Sequence, residues 1–253
     1  MSEFAGKRIV ITGGAGGIGV ETARTMLAHG AHAILVDIDA DGLARACEVL
    51  GTARIGTLQS ALDTPDACAA ALDAAGGPVA ALIHLAGLFE RDSFDRNDHG
   101  VWDRAIAVNL TSAYDLAVAF ATRFDKRNGP ARIVLTSSVA YRRGSAAYPP
   151  YAAAKAGLVG LTRSLARRLA PDVLVNAVAP GLIDTRMAVD TIAERGEAFR
   201  TPVGGSLRDP IPMLARLVLC ERSDDHGGWR HHQRMMRRVR SPCIRRPHYK
   251  PHH

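Results

Sequence analysis

A tyrosine and a lysine four residues apart, Tyr151 and Lys155, give this chain its clearest potential for chemistry. A spacing of four places both side chains on one face of a helix. A phenol has a pKa of about 10, too high for an effective base at neutral pH. Because a nearby ammonium group favours the phenolate, the pair could exchange a proton with a substrate oxygen.

Two other polar residues could join this pair. Ser138 ends an apolar run and precedes Tyr151 by 13 residues. Parallel sheets bind ligands at the carboxyl ends of their strands, so Ser138 could donate a hydrogen bond to a substrate oxygen. Asn109 lies in the segment AVNLTS, and by itself it fits a polar residue that satisfies a helix carbonyl.

A glycine-rich turn, TGGAGGIG at 12–19, lies between a strand-like and a helix-like segment. Glycines allow a tight turn and let backbone N–H groups approach a pyrophosphate at the helix N-terminus. The alternative is a turn that serves packing alone. The candidate dinucleotide contacts here are Gly13, Gly17, Ile18 and Gly19.

Asp37 follows Gly19 by 18 residues and ends the second strand-like run. A carboxylate there can accept hydrogen bonds from both ribose hydroxyls of an adenosine, and it would repel a 2′-phosphate. No Arg or Lys stands in the glycine turn or beside Asp37 to offset that charge. We therefore expect NAD rather than NADP; the alternative is a solvated strand-end or N-cap aspartate.

The elements that must position these residues alternate between strand and helix. Such apolar strands are typical of a buried parallel sheet, and the alternation predicts an α/β, Rossmann-like, doubly wound sheet with right-handed crossovers and helices on both faces. The predicted strands are 7–12, 33–37, 53–58, 79–85, 131–137 and 173–179. The predicted helices are 17–29, 41–50, 64–75, 100–127 and 150–169.

With its TGxxxGxG turn and YxxxK pair in register with Ser138, the chain resembles the short-chain dehydrogenase/reductase family over about residues 5–200. The resemblance implies that Ser138 orients substrate, that Tyr151 is the acid/base, and that Lys155 lowers the tyrosine pKa and holds the nicotinamide ribose. Asn109 matches the family's helix asparagine, which supports a water and a proton relay. The remaining matches, as cofactor contacts, are Ala86, Gly87, Pro180, Gly181, Ile183 and Thr185.

Three positions depart from the family pattern. The family often has NNAG after the fourth strand, where this chain has His84-Leu85-Ala86-Gly87, and we expect His84 to be a packed strand-end residue. The aspartate that usually touches the adenine is replaced by Ala61, with Asp63 out of register. These changes could re-tune cofactor binding while leaving the catalytic group intact.

Substrate identity is weakly encoded. The predicted substrate pocket contains Ser138, Tyr141, Tyr148 and Tyr151. Arg142 and Arg143 could receive an acidic substrate or an acyl-carrier phosphate, although a solvated basic loop fits equally well. The resemblance implies a mobile lid over the substrate at 184–205.

Composition and charge describe two regions. The 253 residues, 47% hydrophobic, predict a single α/β domain with a sizeable core, and the resemblance implies that residues 1–220 form an NAD-binding catalytic domain. The net charge is +7, and residues 221–253 carry +6 of it through nine Lys/Arg against three Asp/Glu. No apolar run reaches the roughly 18 residues of a membrane span. We expect no signal peptide, and four scattered cysteines with no metal pattern favour a cytoplasmic setting.

The basic tail at 221–253 lacks the last strand and glycine pair that the family usually has there. A shifted reading frame near Cys220 or Ser223 explains the abrupt change to Arg, His and Pro. The competing hypothesis is a functional basic tail on nucleic acid or anionic surfaces. We favour the first, so we expect neither a nucleic-acid nor a membrane partner, and no metal.

These observations predict an NAD-dependent oxidoreductase that interconverts a secondary alcohol and a ketone. Alternatives are a catalytically silent dinucleotide-binding protein and an NADPH enzyme resembling 3-oxoacyl-carrier-protein reductases. The expected partners are a small-molecule substrate and further copies of the chain, in a homodimer or homotetramer. If the last strand is absent, an open sheet edge favours the dimer.

Overall fold

The computed structural model describes residues 4–126, 129–181 and 183. The predictions for Thr185, for the lid at 184–205 and for the tail at 221–253 lie outside the described residues. All statements about the fold below concern the described part of the chain.

Six strands form one parallel sheet in the order β3-β2-β1-β4-β5-β6. The chain runs outward from β1 to β3 and then crosses back to continue from β4 on the other side of β1. This reversal leaves a crevice beyond the carboxyl ends of β1 and β4, where open α/β sheets bind their ligands. The strands are β1 Arg8–Thr12, β2 His32–Asp37, β3 Ile55–Gln59, β4 Val79–His84, β5 Ala131–Thr136 and β6 Val173–Val178.

Burial follows the order of the strands. All six residues of β4 are buried, and β1, β2 and β5 are buried over most of their length, as expected for strands covered on both faces. In β3 no residue is fully buried, which accounts for its weak apolar signal in the sequence. The predicted doubly wound α/β fold is therefore confirmed.

Helices connect the strands and begin at residues that the sequence marks. The side chain of Asp39 accepts the Gly42 N–H at the start of α2, and Thr64 accepts the Ala67 N–H at the start of α3. The helices are α1 Gly17–Ala28, α2 Ala40–Leu50, α3 Pro65–Asp73, α4 Gly100–Ile106, α5 Ser112–Phe120, α6 Ala140–Arg143 and α7 Pro149–Leu169.

The prediction of one helix over 100–127 is wrong in two respects. A π-helical turn, Ala107–Thr111, separates α4 from α5, and α5 ends at Phe120. The helix cannot continue because the backbone of residues 123–125 pairs with Val79 in an isolated parallel bridge. The short helix α6 was not predicted from the sequence.

Two apolar clusters cover the two faces of the sheet. One lies between the sheet and helices α3, α5 and α7 and includes Leu72, Leu116, Phe120 and Leu158. The other includes Met26 of α1 and Leu43 of α2. Because α7 belongs to the first cluster, the packing of that face holds the helix that carries Tyr151 and Lys155.

No helix of the described residues is long and apolar enough to cross a membrane. Within the same residues, no group of three or more His, Cys, Asp or Glu side chains is arranged to hold a metal ion.

Replacing Phe120 by Ala should lower the free energy of unfolding by about 3–5 kcal/mol, because the ring is fully buried between α5 and the sheet. Urea unfolding followed by circular dichroism measures this change. Val49→Ala is the matched control, since Val49 is 60% exposed and its truncation should have little effect. Equal effects from the two substitutions would contradict the assigned packing.

Candidate active site

The glycine-rich turn lies in backbone contact with the chain that leaves β4. Gly13 has a φ of +67°, and a Cβ atom there would approach the Ala86 nitrogen to 2.8 Å and the Leu85 carbonyl carbon to 2.9 Å. Only glycine fits this position, because both the left-handed backbone and the close approach exclude a side chain. The turn after β1 and the segment after β4 therefore form one continuous surface at the crevice.

The N-terminus of α1 is open to an anion. A Cβ on Gly19 would collide with the Gly13 carbonyl oxygen, so helix and turn pack directly against each other. Gly16 is the N-cap residue, no side chain caps the helix, and its first turn holds no acidic residue. Gly16 and Gly17 are exposed, while Ile18 is half-buried. Free backbone N–H groups at a helix N-terminus suit a phosphate.

Asp37 ends β2 beside this turn. One carboxylate oxygen accepts the Ala15 N–H at 3.0 Å, and the other accepts the Asp39 N–H at 3.1 Å. The carboxylate therefore helps to fix the glycine turn as well as standing where the ribose was predicted. It remains half-buried, so a ligand can reach it.

Gly87, Asn109 and Lys155 meet in a space that has no room for another atom. A Cβ on Gly87 would lie 2.8 Å from Asn109 Oδ1 and 3.3 Å from Lys155 Nζ. The Asn109 side chain accepts the Leu88 N–H and donates to the carbonyls of Leu88 and Ala105. The structure thus brings together three residues that are distant in the sequence.

Lys155 is a buried cation. Its ammonium group donates to the Thr136 carbonyl at the end of β5, with an N···O distance of 2.8 Å. Burial lowers the pKa of Lys155 from 10.5 to about 7, because the charged form loses its hydration. The ammonium group lies 5.5 Å from the centre of the Tyr151 ring.

Tyr151 stands one helical turn before Lys155 on α7. Burial raises the pKa of the phenol, and a hydrogen bond with the side chain of Ser138 acts in the opposite direction. A Ser138–Tyr151 pair at the carboxyl end of β5 is the arrangement that was expected from the sequence. The predicted lowering of the tyrosine pKa by Lys155 is not among the causes that act on this ring.

An aromatic wall, which we define as Phe89, Tyr148 and Tyr151, borders the site. The rings of Phe89 and Tyr148 stack with centroids 3.9 Å apart, and Phe89 meets Tyr151 edge-on at 4.8 Å. Tyr148 is buried, and the predicted pocket residue Tyr141 is half-buried on α6. Sequence analysis missed Phe89, for which the only signal was an aromatic residue two positions after Gly87.

The chain after β6 returns to the same edge. The Pro180 carbonyl accepts the Val139 N–H at 3.0 Å, which places the Pro180-Gly181 turn beside Ser138. Pro180 and Ile183 are buried, and Gly181 is exposed.

The departures from the family pattern are resolved in different ways. His84 is buried at the end of β4, as expected, with both ring nitrogens near hydroxyl groups. Ala61 and Asp63 are exposed, while Leu62 between them turns into the core with a φ of +57°. Neither neighbour of Leu62 supplies a buried polar contact in place of the missing aspartate.

The fold and this cluster define a class, a doubly wound α/β domain with a glycine-rich turn at its switch point and a tyrosine–lysine pair beside the carboxyl end of β5. A family model described as short chain dehydrogenase matches residues 7–196. The chain belongs to the short-chain dehydrogenase/reductase family, whose members are oxidoreductases that bind a nicotinamide dinucleotide. The uncapped α1 N-terminus and the glycine turn of this chain fit the phosphates of such a group.

Relatives of known description differ in what they act on. A probable galactose dehydrogenase of Rhizobium meliloti (strain 1021) is 35% identical over 185 residues, covering 70% of this chain and 72% of the relative. A 3-oxoacyl-[acyl-carrier-protein] reductase of Salmonella typhimurium is 35% identical over 229 residues, covering 87% and 93%.

Solved structures show the same fold. A Brucella melitensis short-chain dehydrogenase/reductase described as a glucose/ribitol dehydrogenase matches with a TM-score of 0.77 and 29% identity, covering 86% of this chain and 91% of that one. An actinorhodin polyketide ketoreductase, solved with NADPH, matches with a TM-score of 0.73 at 23% identity, covering 84% and 90%.

Replacing Lys155 by Met should raise the melting temperature near pH 6.5 while abolishing turnover, because the substitution removes a buried charge. The folded-state pKa of Lys155 lies below the unfolded value, so the unfolded chain binds more protons between about pH 7 and 10.5. The contribution of Lys155 to the free energy of unfolding of the wild-type protein therefore becomes more favourable as the pH rises from about 7 to 10.5. The gain in melting temperature from Lys155→Met should consequently become smaller between pH 6.5 and 10, as measured by calorimetry.

Lys7→Met is the control for a general effect of charge removal, since Lys7 lies away from the crevice at the start of β1 and is only half-buried. A gain in melting temperature that is the same at every pH would contradict a buried, titrating Lys155.

Proposed function

We propose that this protein is an NAD-dependent oxidoreductase that interconverts a secondary alcohol and a ketone, with Tyr151 as the acid/base. The observation that carries the proposal is the meeting of Ser138, Tyr151 and Lys155 at the carboxyl end of β5. The nicotinamide supplies the chemistry of accepting or donating a hydride. Every other task falls to side chains of this chain.

Ser138 and Tyr151 bind the substrate oxygen in this proposal. The Ser138 side chain acts on the Tyr151 phenol as a hydrogen-bond partner, so a substrate oxygen next to both hydroxyl groups would contact both. In oxidation Tyr151 takes the hydroxyl proton as the hydride leaves carbon; in reduction it returns that proton to the forming alkoxide. Ser138 holds the substrate oxygen in both oxidation and reduction and does not exchange its own proton.

Lys155 acts on Tyr151 through charge and through proton exchange. Burial raises the pKa of Tyr151 in the absence of a ligand, so a positive charge must favour the phenolate during catalysis. Lys155, with a pKa of about 7, can also release a proton near neutral pH. Asn109 lies beside it, across Gly87, and the family resemblance implies that this residue supports a water in the proton relay.

Asp37 supports NAD over NADP. Its carboxylate is held by the Ala15 and Asp39 N–H groups at the end of β2, beside the glycine turn. A 2′-phosphate would stand against this charge, and the exposed neighbour Ile38 offers no compensating cation. The reductase-like alternative with NADPH gains its support from the 3-oxoacyl reductase relative.

Tyr151→Phe should lower kcat by at least about a hundredfold while changing NADH affinity less than threefold, because the hydroxyl acts in chemistry rather than in binding. The measurement is a secondary-alcohol panel that includes galactose and other sugars, with NAD, followed at the absorbance of NADH. Tyr114→Phe on the exposed face of α5 is the matched control and should retain full kcat.

A chain that binds NADH but turns over no substrate, with or without Tyr151, would favour the catalytically silent alternative. Turnover that survives in Tyr151→Phe would contradict the assigned acid/base.

Wild-type protein should bind NADH at least tenfold more tightly than NADPH, a difference of about 1.4 kcal/mol. Asp37→Asn should reduce this ratio toward one, because it removes the charge but keeps an acceptor for the Ala15 N–H. Fluorescence titration with each reduced cofactor measures the ratio without knowledge of the substrate. Asp66→Asn, at the exposed start of α3, is the control and should leave the ratio unchanged. A wild-type preference for NADPH would instead support the reductase-like alternative.

A further inference from the structure

His84 lies at the point where the order of the sheet reverses. It ends β4, and its register partner on β1 is Thr12, the residue before the glycine turn. The side chain is 1% exposed. Its Nδ1 lies 2.8 Å from Thr12 Oγ1, and its Nε2 lies 3.4 Å from Ser112 Oγ at the start of α5.

The contacts of Ser112 determine which ring nitrogen carries the proton. The Ser112 hydroxyl donates to the Val108 carbonyl in the π turn, with an O···O distance of 2.7 Å. A hydroxyl has one proton to donate, so Ser112 Oγ can only accept from the histidine. Nε2 of His84 therefore carries the proton.

The contacts of Thr12 agree with this assignment. With the proton on Nε2, Nδ1 of a neutral ring is an acceptor, and the Thr12 hydroxyl donates to it. Thr12 Oγ1 then accepts the Ala86 N–H at 3.3 Å. One directed chain of hydrogen bonds results, from Ala86 N–H through Thr12, His84 and Ser112 to the Val108 carbonyl.

We propose that His84 is a positioning residue: as a neutral ring with its proton on Nε2, it holds the cofactor-side backbone at Ala86 and the π turn that carries Asn109 at one fixed separation. The role in catalysis rests on the proposed function. The series of hydrogen bonds through His84 does not depend on the proposed function.

A charged imidazole ring does not fit this series of hydrogen bonds. A proton on Nδ1 would make His84 a second donor to Thr12 Oγ1, and the Thr12 hydroxyl would lose the acceptor it has here. Burial, together with the nearby positive charge of Lys155, lowers the pKa of His84 to about 3. The ring therefore acts as a rigid connection and not as a base.

The two ends of this series of hydrogen bonds, Ala86 and Val108, explain why the distance between them matters. Ala86 belongs to the surface that packs on Gly13 of the glycine turn. Val108 precedes Asn109, whose side chain is bonded to both backbone groups of Leu88.

The direct test is spectroscopic and uses the full chain. Long-range ¹H–¹⁵N correlation spectra of ¹⁵N-histidine-labelled protein distinguish the two neutral tautomers from each other and from the charged ring. The His84 signals are those lost in His84→Asn. We expect an Nε2–H tautomer that does not titrate between pH 5 and 8. An Nδ1–H tautomer, or a ring that titrates in this range, would overturn the proposal.

The functional test separates positioning from a purely structural role. His84→Leu should lower kcat about tenfold with less than a threefold change in NADH affinity. His84→Gln, whose amide can reach Ser112, should recover part of the lost kcat. Ser112→Ala interrupts the same series of hydrogen bonds. The double variant His84→Leu/Ser112→Ala should therefore lose no more kcat than the more impaired single variant. His32→Leu at the exposed start of β2 is the control.

A lower melting temperature with unchanged kcat, or strictly additive losses, would contradict the positioning role. If Tyr151 proves dispensable for turnover, the proposed function fails, yet the tautomer of His84 remains a separate result.

Discussion

The backbone contact between Gly13 and the Leu85–Ala86 peptide is the constraint on which the site depends. It brings the turn after β1 into direct backbone contact with the chain leaving β4, next to the last hydrogen bond between these two strands, Leu85 N–H to the Thr12 carbonyl. The uncapped N-terminus of α1 lies on one side of this contact. Gly87, Asn109 and Lys155 lie on the other side. A shift of either segment would therefore move the glycine turn relative to Asn109 and Lys155.

The site contains polar groups that are costly to bury, and the fold compensates each of them differently. The Lys155 ammonium has one backbone carbonyl and a strongly lowered pKa, so it destabilises the fold at neutral pH. Asn109 satisfies its amide fully through backbone groups. His84 is neutral and has a hydroxyl at each nitrogen. Asn109 and His84, whose polar atoms have partners, therefore lie close to a buried ammonium group that has a single carbonyl acceptor.

The sequence alone predicted the strands, their alternation with helices and the meeting of Ser138 with Tyr151, because apolar runs and fixed spacings record these directly. It did not predict the π turn at Ala107–Thr111, where Asn109 bonds Leu88, because a contact between residues so far apart in the sequence leaves no periodic signal. Nor did periodicity reveal that α5 ends at Phe120, where pairing with Val79 competes with the helix. Phe89 was missed because a single aromatic residue in a loop carries no periodic signal.

The aromatic wall joins two crossovers that are unrelated in sequence, the one after β4 and the one after β5. Phe89 stacks on Tyr148, and the Asp92 N–H donates to the Ala147 carbonyl behind the stack. If the proposed substrate pocket lies here, selectivity would be a shared property of both loops and would not be modular. Exchange of either loop alone with that of a relative would separate the stacked rings, so a change of preference has to be inherited or engineered in both loops at once.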